Sequence, residues 1–239
     1  MTKKKLILII PLSVILILTV SFFVYAGIYY HADAAAEEAL VSDGKVQVTK
    51  TDYGWFFDGP STENALIFYP GAKVEETAYA PLCHRLADEG LDVCLVKMPF
   101  RFAFFGVNKA DGIIGRYSYA HWYIGGHSLG GAMAVDYAAG NADKLDGVIL
   151  LAAYPASKLD GRLKTVLIYG SEDKVLNAGR YEDNLKNTPD DRTEHIIQGG
   201  NHAQFGSYGE QKGDGTASIT GKEQVDETVY VIIGTVLVK

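Results

Sequence analysis

Cysteine is scarce in this chain, and so are methionine, tryptophan and proline: two, three, two and seven residues in 239. Two cysteines rule out a disulfide-built scaffold, and Cys83 and Cys94 have neither the CxxC spacing nor the histidine neighbours of a zinc site, so no metal is expected. Cys83 falls on an expected helix and Cys94 on an expected buried strand, where two separate thiols are a plainer reading than one disulfide. Repeats and low-complexity tracts are missing, which excludes solenoids and collagen-like chains. Basic residues are also in deficit. Lys and Arg number 22 against 29 Asp and Glu, for a net charge of −7, and leaving out Lys3, Lys4 and Lys5 takes the remainder to −10. An acidic body is a poor partner for nucleic acid and for anionic lipid. A composition 48% hydrophobic and 21% charged is that of one globular domain with a sizeable core.

Only one long hydrophobic run is present. Leu6 to Tyr30 carries no charged side chain and follows the lysine cluster. Its length suits a membrane-spanning helix, which needs roughly 20 apolar residues, better than the apolar region of about 7 to 15 in a cleaved signal peptide. The lysines would stay on the cytoplasmic side, placing the rest outside the membrane. The expectation is therefore an N-terminal transmembrane signal-anchor over residues 1–30, a linker over 31–44 and a catalytic domain over 45–239. Secretion after cleavage near Ala32-Asp33-Ala34 or Ala34-Ala35-Ala36 is the competing reading.

Beyond the run, short β-branched or aromatic stretches alternate with helical patterns, as in an α/β fold with a mainly parallel sheet and helices on both faces. Strands are expected at Val46–Thr51, Trp55–Phe57, Ala65–Tyr69, Val93–Met98, Trp122–Ile124, Gly147–Ala153, Thr165–Tyr169 and Glu194–Ile197. Helices are expected at Glu75–Glu89, Val107–Tyr117, Ala132–Ala139, Ala178–Asn187 and Lys222–Val236, although the β-branched content of Thr228 to Val238 also suits a strand.

The chemistry centres on Gly126-His127-Ser128-Leu129-Gly130. A serine hydroxyl needs a base to take its proton and usually a carboxylate to orient that base. Here the serine stands between an apolar strand and a helix, where flanking glycines permit a sharp turn. Asp173, in Gly170-Ser171-Glu172-Asp173, leaves a later strand at the edge where open α/β sheets bind ligands. Glu172 and Asp160 compete with it. His202, in Gly199-Gly200-Asn201-His202, follows the last strand. His31, His84, His121 and His195 are differently placed, and His127 reads as a packing or elbow residue.

The order Ser128, Asp173, His202, with the GHSLGG, YGSED and GGNHAQFG segments, resembles the α/β-hydrolase superfamily over about Asn64 to His202 plus a terminal helix. The compact body is similar to its small-esterase and dienelactone-hydrolase-like branches, although the latter use cysteine where this chain has Ser128. The resemblance implies an α/β-hydrolase fold and a cofactor-free serine hydrolase of carboxylic esters, acting through an acyl-enzyme. An acyltransferase, thioesterase or amidase on the same residues, or a catalytically silent binding module, remain alternatives. It also implies two oxyanion donors: the Leu129 amide and one after Gly71, for which Ala72 is the first choice and Lys73 the second. Phe100, Arg101 and Phe102, following a strand at the same edge, are candidate substrate contacts. Small or surface-presented esters are the expected partners, with the membrane reached through the N-terminal helix. Oligomeric state is not legible.

Overall fold

The computed structural model describes residues 3–237, with side chains from residue 11 onward. Helix α1 (Lys3–Gly27) and a short α2 (Ala34–Glu38) precede strands β1 (Gln47–Lys50), β2 (Gly54–Asp58) and β3 (Asn64–Tyr69). Helix α3 (Ala80–Asp88), β4 (Asp92–Val96), α4 (Lys109–Ile114), β5 (His121–His127) and α5 (Leu129–Gly140) follow. Strands β6 (Gly147–Leu151) and β7 (Lys164–Gly170), α6 (Ala178–Asn184), β8 (Arg192–Ile197) and α7 (Gly221–Val236) complete the chain.

The eight strands form one sheet in the order β1-β2-β4-β3-β5-β6-β7-β8. β1 and β2 run antiparallel at one edge and the remainder are parallel. Strands buried on both faces read as continuous apolar runs, and β3, β4 and β6 do so. One face is closed by α3 and α7 and the other by α4, α5 and α6, each over its own apolar core. Strand register aligns the C-terminal ends at the sheet centre: Tyr69 pairs with Gly126, and His127 pairs with Leu151, so β3, β5 and β6 end side by side.

Two helices depart from their expected form for local reasons. The stretch begun at Glu75 opens as a 3₁₀ turn (Glu76–Tyr79), and α3 starts only at Ala80 because Pro81 suits a first helical turn and not a helix interior. The C-terminal segment, open to a strand reading, is helical. Thr220 and Glu223 form a reciprocal cap, and Val225, Val229, Ile232 and Val236 bury one helical stripe that strand alternation would have scattered over two faces. Cys83 and Cys94 are separate buried thiols.

The expected transmembrane span is corrected. Among the described residues no helix is long and apolar enough to cross a membrane. The last turns of α1 are engaged with the body instead: Phe22 and Phe23 meet Phe100 edge-on, and Tyr25 stacks on Phe102. The extracytoplasmic location inferred from a span is withdrawn with it. The lysine cluster at 3–5, assigned to the cytoplasmic side, lies outside the residues whose side chains are described. Within 31–44, read as linker, α2 is capped by Asp33 and buries Ala36.

Candidate active site

β5 runs straight into α5 with one residue between them. Ser128 is that residue, and it sits at φ 53°, ψ −123°, a strained conformation for a side chain with a Cβ. The strain is held by the turn on both sides. The Ser128 amide donates to the Leu151 carbonyl at 2.9 Å, and Gly130 lies so close under the β3 loop that a Cβ would overlap the Tyr69 and Pro70 carbonyl oxygens. The side chain is left half-exposed at the sheet's C-terminal edge, at the N-terminus of α5, where developing negative charge is favoured.

Asp173 and His202 reach the same edge from β7 and β8. His202 Nδ1 lies 2.8 Å from Asp173 Oδ2, and both side chains are almost fully buried. The other carboxylate oxygen, Asp173 Oδ1, accepts the backbone N–H groups of Val175 and Leu176, each at 2.8 Å. Of the competing acids, Glu172 accepts from Ser171 Oγ and Asp160 pairs with Arg162 at the surface. Four other histidines face carboxylates: His31 meets Glu75, His84 meets Asp43, His121 meets Asp146 and His195 meets Glu227.

The His202 loop is pinned by residues that motif reading passed over. Gln224 of α7 accepts the Asn201 amide at 3.0 Å and donates to the Asn201 carbonyl at 2.8 Å, while Asp214 accepts the Ala203 amide at 2.8 Å. A fully buried glutamine on the apolar stripe of a helix was the available signal, since a buried amide needs partners.

Ser128 and His202 line one cleft of 310 Å³. Its walls are mostly small or aliphatic, among them Leu129, Ala153, Val175 and Leu176, with Tyr154 and Asn177 as the larger polar members. No hydrogen bond from Ser128 Oγ is present among the described residues; such contacts are commonly long before substrate binds. A larger hollow of 640 Å³ lies between α2, α3 and α7, away from Ser128, among ion pairs such as Arg85 with Asp226.

The loop after β3 distributes its donors unequally. Pro70 has no N–H; Gly71 donates to the Tyr79 hydroxyl at 3.1 Å, Lys73 to the Arg101 carbonyl at 2.9 Å and Val74 to the Gly71 carbonyl at 3.4 Å. Ala72 is left, and like Leu129 its amide has no acceptor among the described residues. Lys73, the second choice for an oxyanion donor, thus has its amide engaged.

Phe100, Arg101 and Phe102 are not in the cleft. Phe100 and Phe102 pack on α1, and the Arg101 guanidinium lies 3.3 Å from the centre of the Tyr29 ring. Two successive residues with positive φ, Phe100 (52°) and Arg101 (60°), direct them to the N-terminal segment, a turn that no spacing rule anticipates.

Residues 65–226, most of the chain, match the alpha/beta hydrolase family. The chain belongs to that family. This alpha/beta hydrolase also shares its fold with solved structures. An esterase of M. tuberculosis superposes with a TM-score of 0.60 at 11% identity, over 85% of this chain and 96% of that one. A predicted CIB-like hydrolase from Thermoplasma acidophilum gives 0.57 at 17% identity, over 79% and 98%. Dienelactone hydrolase from Anabaena variabilis gives 0.55 at 14%, over 80% and 99%. At these identities the likeness is one of fold. No curated protein matches the sequence.

Proposed function

We propose that this alpha/beta hydrolase is a serine esterase, cleaving neutral carboxylic esters with a small apolar acyl group. The observation that carries the reading is the buried 2.8 Å pairing of His202 with Asp173 in the cleft that Ser128 lines. Asp173 holds the proton of His202 on Nδ1 and leaves Nε2 free as a base. His202 accepts the Ser128 proton as Oγ attacks the ester carbonyl, then returns it to the departing alcohol. Water activated by the same imidazole hydrolyses the acyl-enzyme. The amides of Leu129 and Ala72 take the developing oxyanion, a contribution of about 10²- to 10³-fold per donor in related chemistry.

The substrate class is drawn from the cleft. Beside Tyr154 and Asn177 its walls are alanines, leucines and a valine, with no lysine or arginine to meet an anion, and 310 Å³ is at the small end for ligand sites. A fluorophosphonate should label the purified protein, and Ser128→Ala should abolish both labelling and hydrolysis of p-nitrophenyl esters. Among those esters, acetate and butyrate should outrun octanoate. Labelling that survives Ser128→Ala would sink the proposal.

A further inference from the structure

We propose that Tyr79 and His127 are positioning residues for the oxyanion donor, a phenol–imidazole pair that pins the loop after β3 to the nucleophile elbow. The inference rests on the reading of Ser128 as nucleophile and of Ala72 as a donor. Tyr79 and His127 are both almost fully buried, with the hydroxyl 2.8 Å from His127 Nδ1 and 3.1 Å from the Gly71 nitrogen.

The direction of the Gly71 bond is fixed, and we assign that of the Tyr79–His127 bond from it. The Gly71 N–H can only donate, so the phenol oxygen accepts it. The single phenolic proton then goes to His127 Nδ1, the one other partner that the hydroxyl has among the described residues. That assignment leaves the ring proton of His127 on Nε2, which is buried without a hydrogen-bond partner among the described residues. Gly71 has no room for any other side chain: a Cβ there would come within 2.8 Å of the Tyr79 hydroxyl and 2.9 Å of His127 Nδ1.

The pair therefore fixes the peptide on one side of Ala72, and the Lys73 bond to the Arg101 carbonyl fixes the other. His127 is also the residue before Ser128, so the donor loop and the nucleophile are referred to a common point. Its ring packs against His202, 4.4 Å between centroids. Burial pushes the His127 pKa well down, with His202 adding to the effect, so the ring stays neutral where a cation would oppose protonation of His202.

The test uses the full chain and p-nitrophenyl butyrate. Tyr79→Phe keeps the ring packed on Phe68 and removes only the pin. It should lower kcat by about 10- to 100-fold, short of losing a donor outright, with KM changed less than about threefold because the donor acts on the transition state. His127→Asn offers a carboxamide oxygen in place of Nδ1 and should retain several times the kcat of His127→Leu. The double variant Tyr79→Phe/His127→Leu should be no slower than the slower single, since both remove one connection. A trifluoromethyl ketone with the same acyl group should bind Tyr79→Phe more weakly by the factor lost in kcat.

Undiminished kcat in Tyr79→Phe, a loss confined to KM, or independent losses that multiply in the double variant would overturn the inference. Should Tyr79→Phe not fold, equal activity of His127→Asn and His127→Leu overturns it. Hydrolysis that survives Ser128→Ala rejects the serine-esterase reading itself, whereas a dead Ser128→Ala beside an unaffected Tyr79→Phe rejects the positioning role alone.

Discussion

Replacing Asp173 by asparagine probes the proposed site through a constraint the structure imposes on the amide. Asp173 Oδ1 accepts two backbone N–H groups, from Val175 and Leu176, and Oδ2 faces His202 Nδ1. An asparagine carboxamide has one acceptor end and one donor end. Turning its NH₂ toward Val175 and Leu176 would set donors against donors, so the oxygen must stay there and the NH₂ must face His202. His202 can meet that NH₂ only with Nδ1 unprotonated, which moves its proton to Nε2, the atom needed as base. The wrong tautomer should lower kcat by about 10⁴-fold, as the equivalent change does in a serine protease. Stability should fall by only about 1–2 kcal/mol, because the two backbone bonds survive and one charge-assisted bond becomes a neutral one. Asp173→Ala should reverse the emphasis, leaving the exposed Val175 amide and the part-buried Leu176 amide without their acceptor and costing about 1–3 kcal/mol. Steady-state kinetics at pH 8 and urea unfolding of the three proteins provide the comparison. An Asp173→Asn enzyme within tenfold of the parent would refute the tautomer argument, as would an equal kinetic effect from Glu172→Gln.

Other consequences can be measured independently. Ala156→Leu projects bulk into the 310 Å³ cleft and should raise KM for hexanoate by about tenfold while leaving acetate nearly unchanged, the scale expected when a few methylenes are displaced; equal effects on both esters would place the acyl group elsewhere. Asp92, fully buried and bound to the Gly59 amide and the Tyr119 hydroxyl, has its pKa pushed up to about 6, chiefly by burial. Between the ordinary carboxylate value and pH 6 the folded protein holds a proton that the unfolded chain releases, so this contribution to stability is present below that window and lost as pH rises through it. Relative to Asp92→Asn, the parent should therefore lose about 1–2 kcal/mol from pH 4 to pH 7, allowing for solvent screening; a constant gap in unfolding free energy would refute it. Burial raises the thiol pKa of Cys83 and takes that of Cys94 to about 12, so neither should react with a thiol reagent at pH 8 until denaturant is added.

What could be read along the chain was what is local. Strand and helix periods placed nearly every element, because an apolar run stopped by Pro70-Gly71, or a stripe at 225, 229, 232 and 236, carries its own geometry. The Gly126 to Gly130 segment could be recognised for the same reason, since strand, turn and helix are contiguous there. Asp173 and His202 could be named as candidates by their place after β7 and β8. The N-terminal run shows the limit of such reading: its hydropathy suggested a span, whereas its final turns pack on Phe100 and Phe102, residues more than seventy positions away.

By itself, then, the sequence determined the alternation of strands and helices, the sharp turn at Ser128 and the residue types available for acyl chemistry. Tertiary structure alone decided which acid meets His202, that Ala72 holds the unengaged amide of its loop, and that Phe100, Arg101 and Phe102 face the N-terminal segment. It alone brought Tyr79 to His127 across 48 residues. The reason is physical: periodicity records which face of an element is buried, but a hydrogen bond between distant segments depends on register and packing that no single stretch of chain contains.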